Sequence, residues 1–167
     1  MMKVEEALGL PPDAVLRLGA LAVFVVEDAE RLRERLRLSN VESRRLESMG
    51  DRWWRIAPAH GNGSARALLY RIGVEAYRDR VLLAFARSPA KVDDSGWRGL
   101  AVLPTRWTAP KFPLAAKDFL DRGLAKGPAL GAALARAEAA WIAADFPADP
   151  AKIGAIAEEA AKAAKEN

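Results

Sequence analysis

The 167-residue chain has no cysteine and a single histidine. Without cysteine there is no disulfide, no thiolate metal site and no thiol nucleophile, as suits a reducing compartment. The lone histidine, His60, sits in the stretch His60-Gly61-Asn62-Gly63 and has no second histidine with which to build a metal cluster. Its neighbours supply no Ser-His-Asp arrangement either, so it reads as a surface loop residue. Long apolar runs are also missing. The longest, Ala20 to Val26, has seven residues, against the ~20 that a membrane span requires. The first fifteen residues, MMKVEEALGLPPDAV, lack the apolar stretch of a signal peptide. Neither a Walker-type loop nor a dinucleotide-binding glycine pattern occurs. The expectation is a soluble, cytoplasmic protein with no membrane partner, whose length allows burial of roughly 70% of its unfolded surface.

What the chain does have is arginine, unevenly spread. Lysine and arginine total 26 against 22 acidic residues. Between Arg31 and Arg80 there are twelve arginines, no lysine and six acidic residues, a local net charge of +6, while the remainder carries about −2. Arginine donates two parallel hydrogen bonds and is less strongly hydrated than lysine, which makes it the better phosphate ligand. A basic block of this kind points to a polyanionic partner. Eighteen arginines against eight lysines among many alanines also fit a GC-rich coding bias, so charge alone does not decide the matter.

Helix punctuation runs through the whole chain, and no alternating run of strand length occurs. Pro11-Pro12-Asp13 precedes an apolar-periodic run to about Val26, and Glu27-Asp28 opens a second helix. Ser39 followed by Glu42 forms a capping box for a third helix, expected to reach about Ala57 before Pro58. Ser64 is placed to cap a fourth, and Gly73 separates it from a fifth. A short helix is expected up to Leu103. Pro104 to Pro113 holds three prolines and is excluded from helix interior. Asp149-Pro150 opens the last helix. The fold class is all-α, an irregular array of about eight or nine helices. Its expected organisation is a body over 1–103, a proline-rich connection over 104–113 and a smaller tail over 114–167.

Two places offer donors to an anion. On the third helix, at about 100° per residue from Arg44, Arg55 falls near 20°, Arg52 near 80° and Arg45 near 100°. Leu46, Met49, Trp53 and Ile56 occupy the neighbouring arc. One arc can pack while the other meets phosphates; the alternative is a solvated face in which Glu47 and Asp51 pair with the arginines. The second place is Gly127-Pro128-Ala129-Leu130-Gly131, where proline suits the first helical turn. Free N–H groups at Leu130 and Gly131, with Lys126 and Lys117 nearby, could hold a phosphate. A close helix crossing needing small residues would equally explain the glycines. Of the five tryptophans, Trp53 and Trp141 have core spacing, and Trp54 and Trp107 are candidates for stacking on an unpaired base.

The stretch Phe112 to Ile142, together with Arg35-Leu36-Arg37-Leu38-Ser39-Asn40 and Ala65 to Arg87, resembles the C-terminal body and tail of bacterial tRNA nucleotidyltransferases and poly(A) polymerases, most closely the alphaproteobacterial CCA-adding enzymes. The resemblance implies a helical region that holds tRNA, or another RNA, by shape and phosphate contacts. Its partner would be an N-terminal catalytic head, in which Mg2+ and CTP or ATP are expected; no cofactor or metal is expected in this chain. The family's Gly-Ser motif followed by Asp-x-Asp, whose carboxylates bind the two metals, is missing here: Asp93-Asp94 is adjacent and lacks a preceding Gly-Ser. Ala116 stands before Lys117-Asp118-Phe119-Leu120, where the family usually has glycine. Glu27-Asp28-Ala29-Glu30-Arg31 fits EDxxR, a nucleotide-templating motif of the family's neck, but in the wrong segment, and no role is carried over. No residue of the chain is expected to be catalytic. The competing class is an all-helical protein–protein interaction scaffold without RNA binding.

Overall fold

The computed structural model describes residues 1–166, and among them there is no strand. The chain divides into two units, Met1–Thr108 and the residues from Ala109 onward.

The first unit contains α1 (Met2–Ala7), α2 (Ala14–Ala22), α3 (Val26–Leu36), α4 (Asn40–Gly50), two 3-10 turns (Trp53–Arg55 and Pro58–His60), α5 (Gly61–Arg87) and α6 (Ser95–Arg106). Side-chain caps set several of the starts. Asp13 accepts from the Leu16 N–H at 3.0 Å, and Asp94 accepts from Trp97 at 2.9 Å. Ser39 and Glu42 form the expected reciprocal box, with Ser39 N–H donating to Glu42 at 2.9 Å. Gly73, at φ 78°, breaks α5 into two segments. The second of these is the centre of the unit: Tyr77, Val81, Leu82, Leu83 and Phe85 are almost wholly buried. Phe85 stacks in parallel on Trp97, with ring centroids 5.4 Å apart.

Four local expectations are corrected. Helix α2 stops at Ala22, and Val23 continues as extended chain. Helix α4 stops at Gly50 rather than Ala57, because Asp51 is already extended at φ −88°, ψ 107°; Gly50 itself packs on the Val25 backbone, where a Cβ would come within 2.7 Å of the Val25 carbonyl. The chain then turns through Arg52, whose φ of 55° is left-handed. Helix α5 starts at Gly61, so Ser64 lies inside its first turn and caps nothing. Pro104 lies inside α6. Proline there removes the amide that would bond to the Leu100 carbonyl four residues earlier. The Tyr77 hydroxyl donates to that carbonyl instead, at 3.2 Å. Helix α1 was not foreseen; it brings Glu5, 2% exposed, to accept from Arg17 Nε at 2.8 Å and from the Asp13 N–H at 3.1 Å.

The second unit comprises α7 (Ala116–Leu120), α8 (Pro128–Ala143) and α9 (Pro150–Lys165), with Asp149 capping α9. Ala133 and Ala137 of α8 and Ala157, Ala160 and Ala161 of α9 form its core with Phe119 and Leu124. Trp141 is buried between Phe112 and Phe146 and donates to the Pro147 carbonyl at 2.9 Å. Among the described residues, no helix is long and apolar enough to cross a membrane, and no group of three or more acidic or histidine side chains is placed to hold a metal.

Candidate nucleic-acid interface

The arginines grouped on one expected helix face have three different fates. Arg44 lies on α4 and is exposed, and no carboxylate among the described residues pairs with it. Arg45, its neighbour in sequence, points inward. It donates to both oxygens of Asp79 and both oxygens of Asp13, over 2.5–3.2 Å. Asp79 is 0% exposed, so a buried carboxylate is matched by a guanidinium that has little donor capacity left. The bonds to Asp79 and then Asp13 outweigh desolvation and raise the Arg45 pKa. At Asp13, burial pushes the carboxyl pKa up, but the bonds from Arg45 and from the Leu16 amide outweigh it and hold it below its usual value. Arg45 is therefore removed from the candidate contacts. Its physical role is to tie α4 to α5 and to the start of α2.

Arg52 and Arg55 leave the helix altogether, since α4 ends before them. Arg52 precedes the 3-10 turn that carries Trp54 and ends at Arg55, and all three are exposed. Both arginines reach the rim of a cleft of about 400 Å³ beside the N-terminal segment of α5. Arg71, His60 and Ser64 supply further polar lining, and Ile56, Leu68 and Ile72 supply an apolar floor. Arg80, 8% exposed, lines the inner wall and is held by Asp51 at 3.0 Å and by Ser48 at 3.3 Å. Asp51 also lies 3.6 Å from Arg52. One carboxylate thus faces four guanidiniums, and Arg55 and Arg71 have no acidic partner among the described residues. The wheel drawn from Arg44 could not find this cleft, because it assumed an unbroken helix. Arg71 and Ser64, one helical stretch later, gave no separate signal, and His60 read as a loop residue.

At the start of α8 the expected donors are already used. Leu130 and Gly131 N–H groups bond back to the Gly127 carbonyl, at 3.1 and 3.4 Å. That corrects their assignment as free groups. Ala129 N–H has no protein partner among the described residues, because a first-turn amide has no helical carbonyl four residues before it. Neither glycine serves a close crossing: a Cβ at Gly127 or Gly131 would meet nothing within 4 Å. Gly127 is required instead by its φ of 152°. Lys117 and Lys126 are both exposed within this second unit.

Elsewhere, Trp54 is 56% exposed and meets Trp53 edge-on at 6.1 Å. Trp53 donates to the Phe24 carbonyl at 2.9 Å and covers the Arg87 guanidinium, which is also stacked on Phe24. Trp107 is half-buried against the first unit's core. Asp28, the aspartate of the EDxxR match, accepts from the Phe24 and Val25 amides at 2.9 and 3.1 Å and bonds to Arg31, so it caps α3.

No protein-family model matches the chain, and no solved structure matches it. Over 94 residues, 53% of this chain, it is 38% identical to an "uncharacterized 28 kDa protein in petA 5′ region" of Rhodospirillum rubrum. The match spans 36% of that protein's length, and its name states no activity.

Proposed function

We propose that this chain is an RNA-holding helical region, the body and tail of a CCA-adding tRNA nucleotidyltransferase or poly(A) polymerase, acting in the cytoplasm beside a catalytic head that contributes the metal-binding carboxylates. The observation that carries the reading is the separation of its arginines into two sets. Arg45 and Arg80 are committed to carboxylate and hydroxyl partners within the fold, whereas Arg44, Arg52, Arg55 and Arg71 present guanidinium groups outward with one shared carboxylate among them. Guanidinium groups left without carboxylates suit backbone phosphates, where they bind without reading sequence. Exposed Trp54 between Arg52 and Arg55 adds a face on which a base can stack. Lys117, Lys126 and the open Ala129 amide offer a second phosphate contact in the other unit. Exposed Leu21 and Val41, at 79% and 76%, are what an interaction scaffold would offer instead.

Titration of labelled tRNA at two salt concentrations separates the readings, because counterion release makes phosphate binding steeply salt-dependent. Arg44→Glu with Arg52→Glu should weaken tRNA binding and flatten that dependence. Unchanged affinity in the double variant, or no binding at low salt, rules out these arginines as RNA contacts.

A further inference from the structure

The cleft beside α5 has a composition that a simple phosphate track does not need. A surface that only follows a sugar-phosphate backbone requires spaced cations on an open face. Here Arg52, Arg55 and Arg71 surround a concavity whose floor is Ile56, Leu68 and Ile72. Its volume of about 400 Å³ falls low in the ~300–1,000 Å³ range of small-molecule sites. It is therefore too small for a duplex groove and of a size for one ligand. Cation at the rim and hydrocarbon beneath is the complement of a ligand with a phosphate at one end and a flat, weakly polar ring at the other. Two features hold the wall in place. Arg80 is fixed by Asp51 and Ser48, and the buried Tyr77 ring is anchored through its hydroxyl to Leu100. His60 and Ser64 add donors at the mouth, enough to meet a sugar hydroxyl or a second phosphate oxygen.

Resting on the RNA-holding reading above, we infer that this cleft is a binding site for one nucleoside phosphate: the phosphate lies between Arg52, Arg55 and Arg71, and the base enters over Ile56, Leu68 and Ile72. That ligand can come from two sources, a free mononucleotide or an unpaired nucleotide within an RNA chain. A paired nucleotide is excluded by shape, because its base edge is occupied and its neighbours do not fit the concavity. The site would thus let the domain distinguish a single-stranded end from a helix without hydrogen-bond readout of the base.

The test uses the intact chain and titration calorimetry. AMP should bind saturably, and inorganic phosphate and adenosine should each bind at least tenfold more weakly, because each engages one half of the site. A five-nucleotide single strand that displaces AMP identifies the RNA source; a strand that leaves AMP in place identifies the free nucleotide. Blunt duplex RNA should not displace AMP. Arg71→Glu should weaken AMP at least tenfold, whereas Lys91→Glu, at an exposed position outside the cleft, should leave AMP unchanged. Arg71 is exposed and has no carboxylate partner among the described residues, so its substitution should not disturb folding; Arg55→Glu serves as an independent variant, with circular dichroism to check both. The inference is overturned if AMP shows no saturable binding, if phosphate alone binds as well as AMP, or if both cleft variants bind AMP normally. Loss of AMP binding with tRNA binding intact would sink this inference alone, and the opposite pattern would sink only the RNA-holding reading.

Discussion

Replacing Tyr77 by phenylalanine should expose how a proline is tolerated inside α6. The Leu100 carbonyl is the acceptor that Pro104 cannot serve, and the Tyr77 hydroxyl serves it at 3.2 Å from a residue that is 0% exposed. A buried carbonyl left without a donor costs about 1–3 kcal/mol. The bond is at the long end of hydroxyl geometry, so about 1–2 kcal/mol is expected for Tyr77→Phe. For a unit of this size that corresponds to a fall in Tm of roughly 4–8 °C per kcal/mol. In a Pro104→Ala background the restored amide points at the same carbonyl, and Tyr77→Phe should then cost no more than about 0.5 kcal/mol. The double-mutant cycle should give a coupling of about 1 kcal/mol by urea or thermal unfolding. Equal costs in the two backgrounds would refute the account. Burial also raises the Tyr77 phenol pKa. The folded chain therefore keeps this proton at a pH where the unfolded chain releases it, so stability is complete below about pH 10 and falls above it. Tyr77→Phe should remove that alkaline decline.

Removal of the guanidinium in Arg45→Met should destabilise the first unit by about 3–5 kcal/mol, because Asp79 is left charged and buried. A combined Asp79→Asn should restore part of the loss in denaturant unfolding; no rescue would show that the packing of Arg45, not its charge, matters. Asp13 has a depressed folded pKa, so its contribution to stability is present above about pH 4 and lost as pH falls below it. Asp13→Asn should accordingly make the unfolding midpoint less sensitive to pH between about 5 and 2, measured as the slope of midpoint against pH. In α8, Gly131→Ala should stabilise by about 0.5–1 kcal/mol, since the site is helical, exposed and unobstructed. Gly127→Ala should destabilise through its φ of 152° alone. Opposite signs by thermal unfolding are the check, and two stabilising substitutions would contradict the assigned backbone.

The helices were legible where a local signal starts or stops them. Ser39 with Glu42, Asp149 before Pro150 and the break at Gly73 each act within a few residues, and each functions as its local chemistry requires. Some of the misread features depend on contacts distant in sequence. Gly50 packs on Val25 where α4 ends, and Pro104 is tolerated in α6 because Tyr77, twenty-seven residues earlier, replaces its missing donor. Helix α1 is too short to show a period, and its buried Glu5 is matched by Arg17 on α2. The candidate site suffered from the same limit. A helical wheel places Arg44 and Arg45 about 100° apart, but it cannot say that Asp13 and Asp79 converge on the second. It also assumes the continuity that Arg52 breaks. The cleft joins the turns after α4 to the first segment of α5, a juxtaposition that no periodicity encodes.

The division of arginines also bounds what the block's charge can do in binding. Of its twelve arginines, Arg45 and Arg80 are spent on partners within the fold and are not available as phosphate contacts. If Arg44 reaches one phosphate and Arg52, Arg55 and Arg71 share another, the logarithm of affinity should fall with the logarithm of salt concentration at a slope of about −1.4 to −1.8, each phosphate contributing ~0.7–0.9. A slope steeper than that requires further cations, such as the exposed Lys117 and Lys126 of the second unit. Substituting those two lysines should then shorten the slope by about 1–2 while leaving the contribution of the first unit in place. A slope near zero at any affinity would mean that binding is carried by apolar contact, and the exposed guanidiniums would then serve only to keep the surface hydrated.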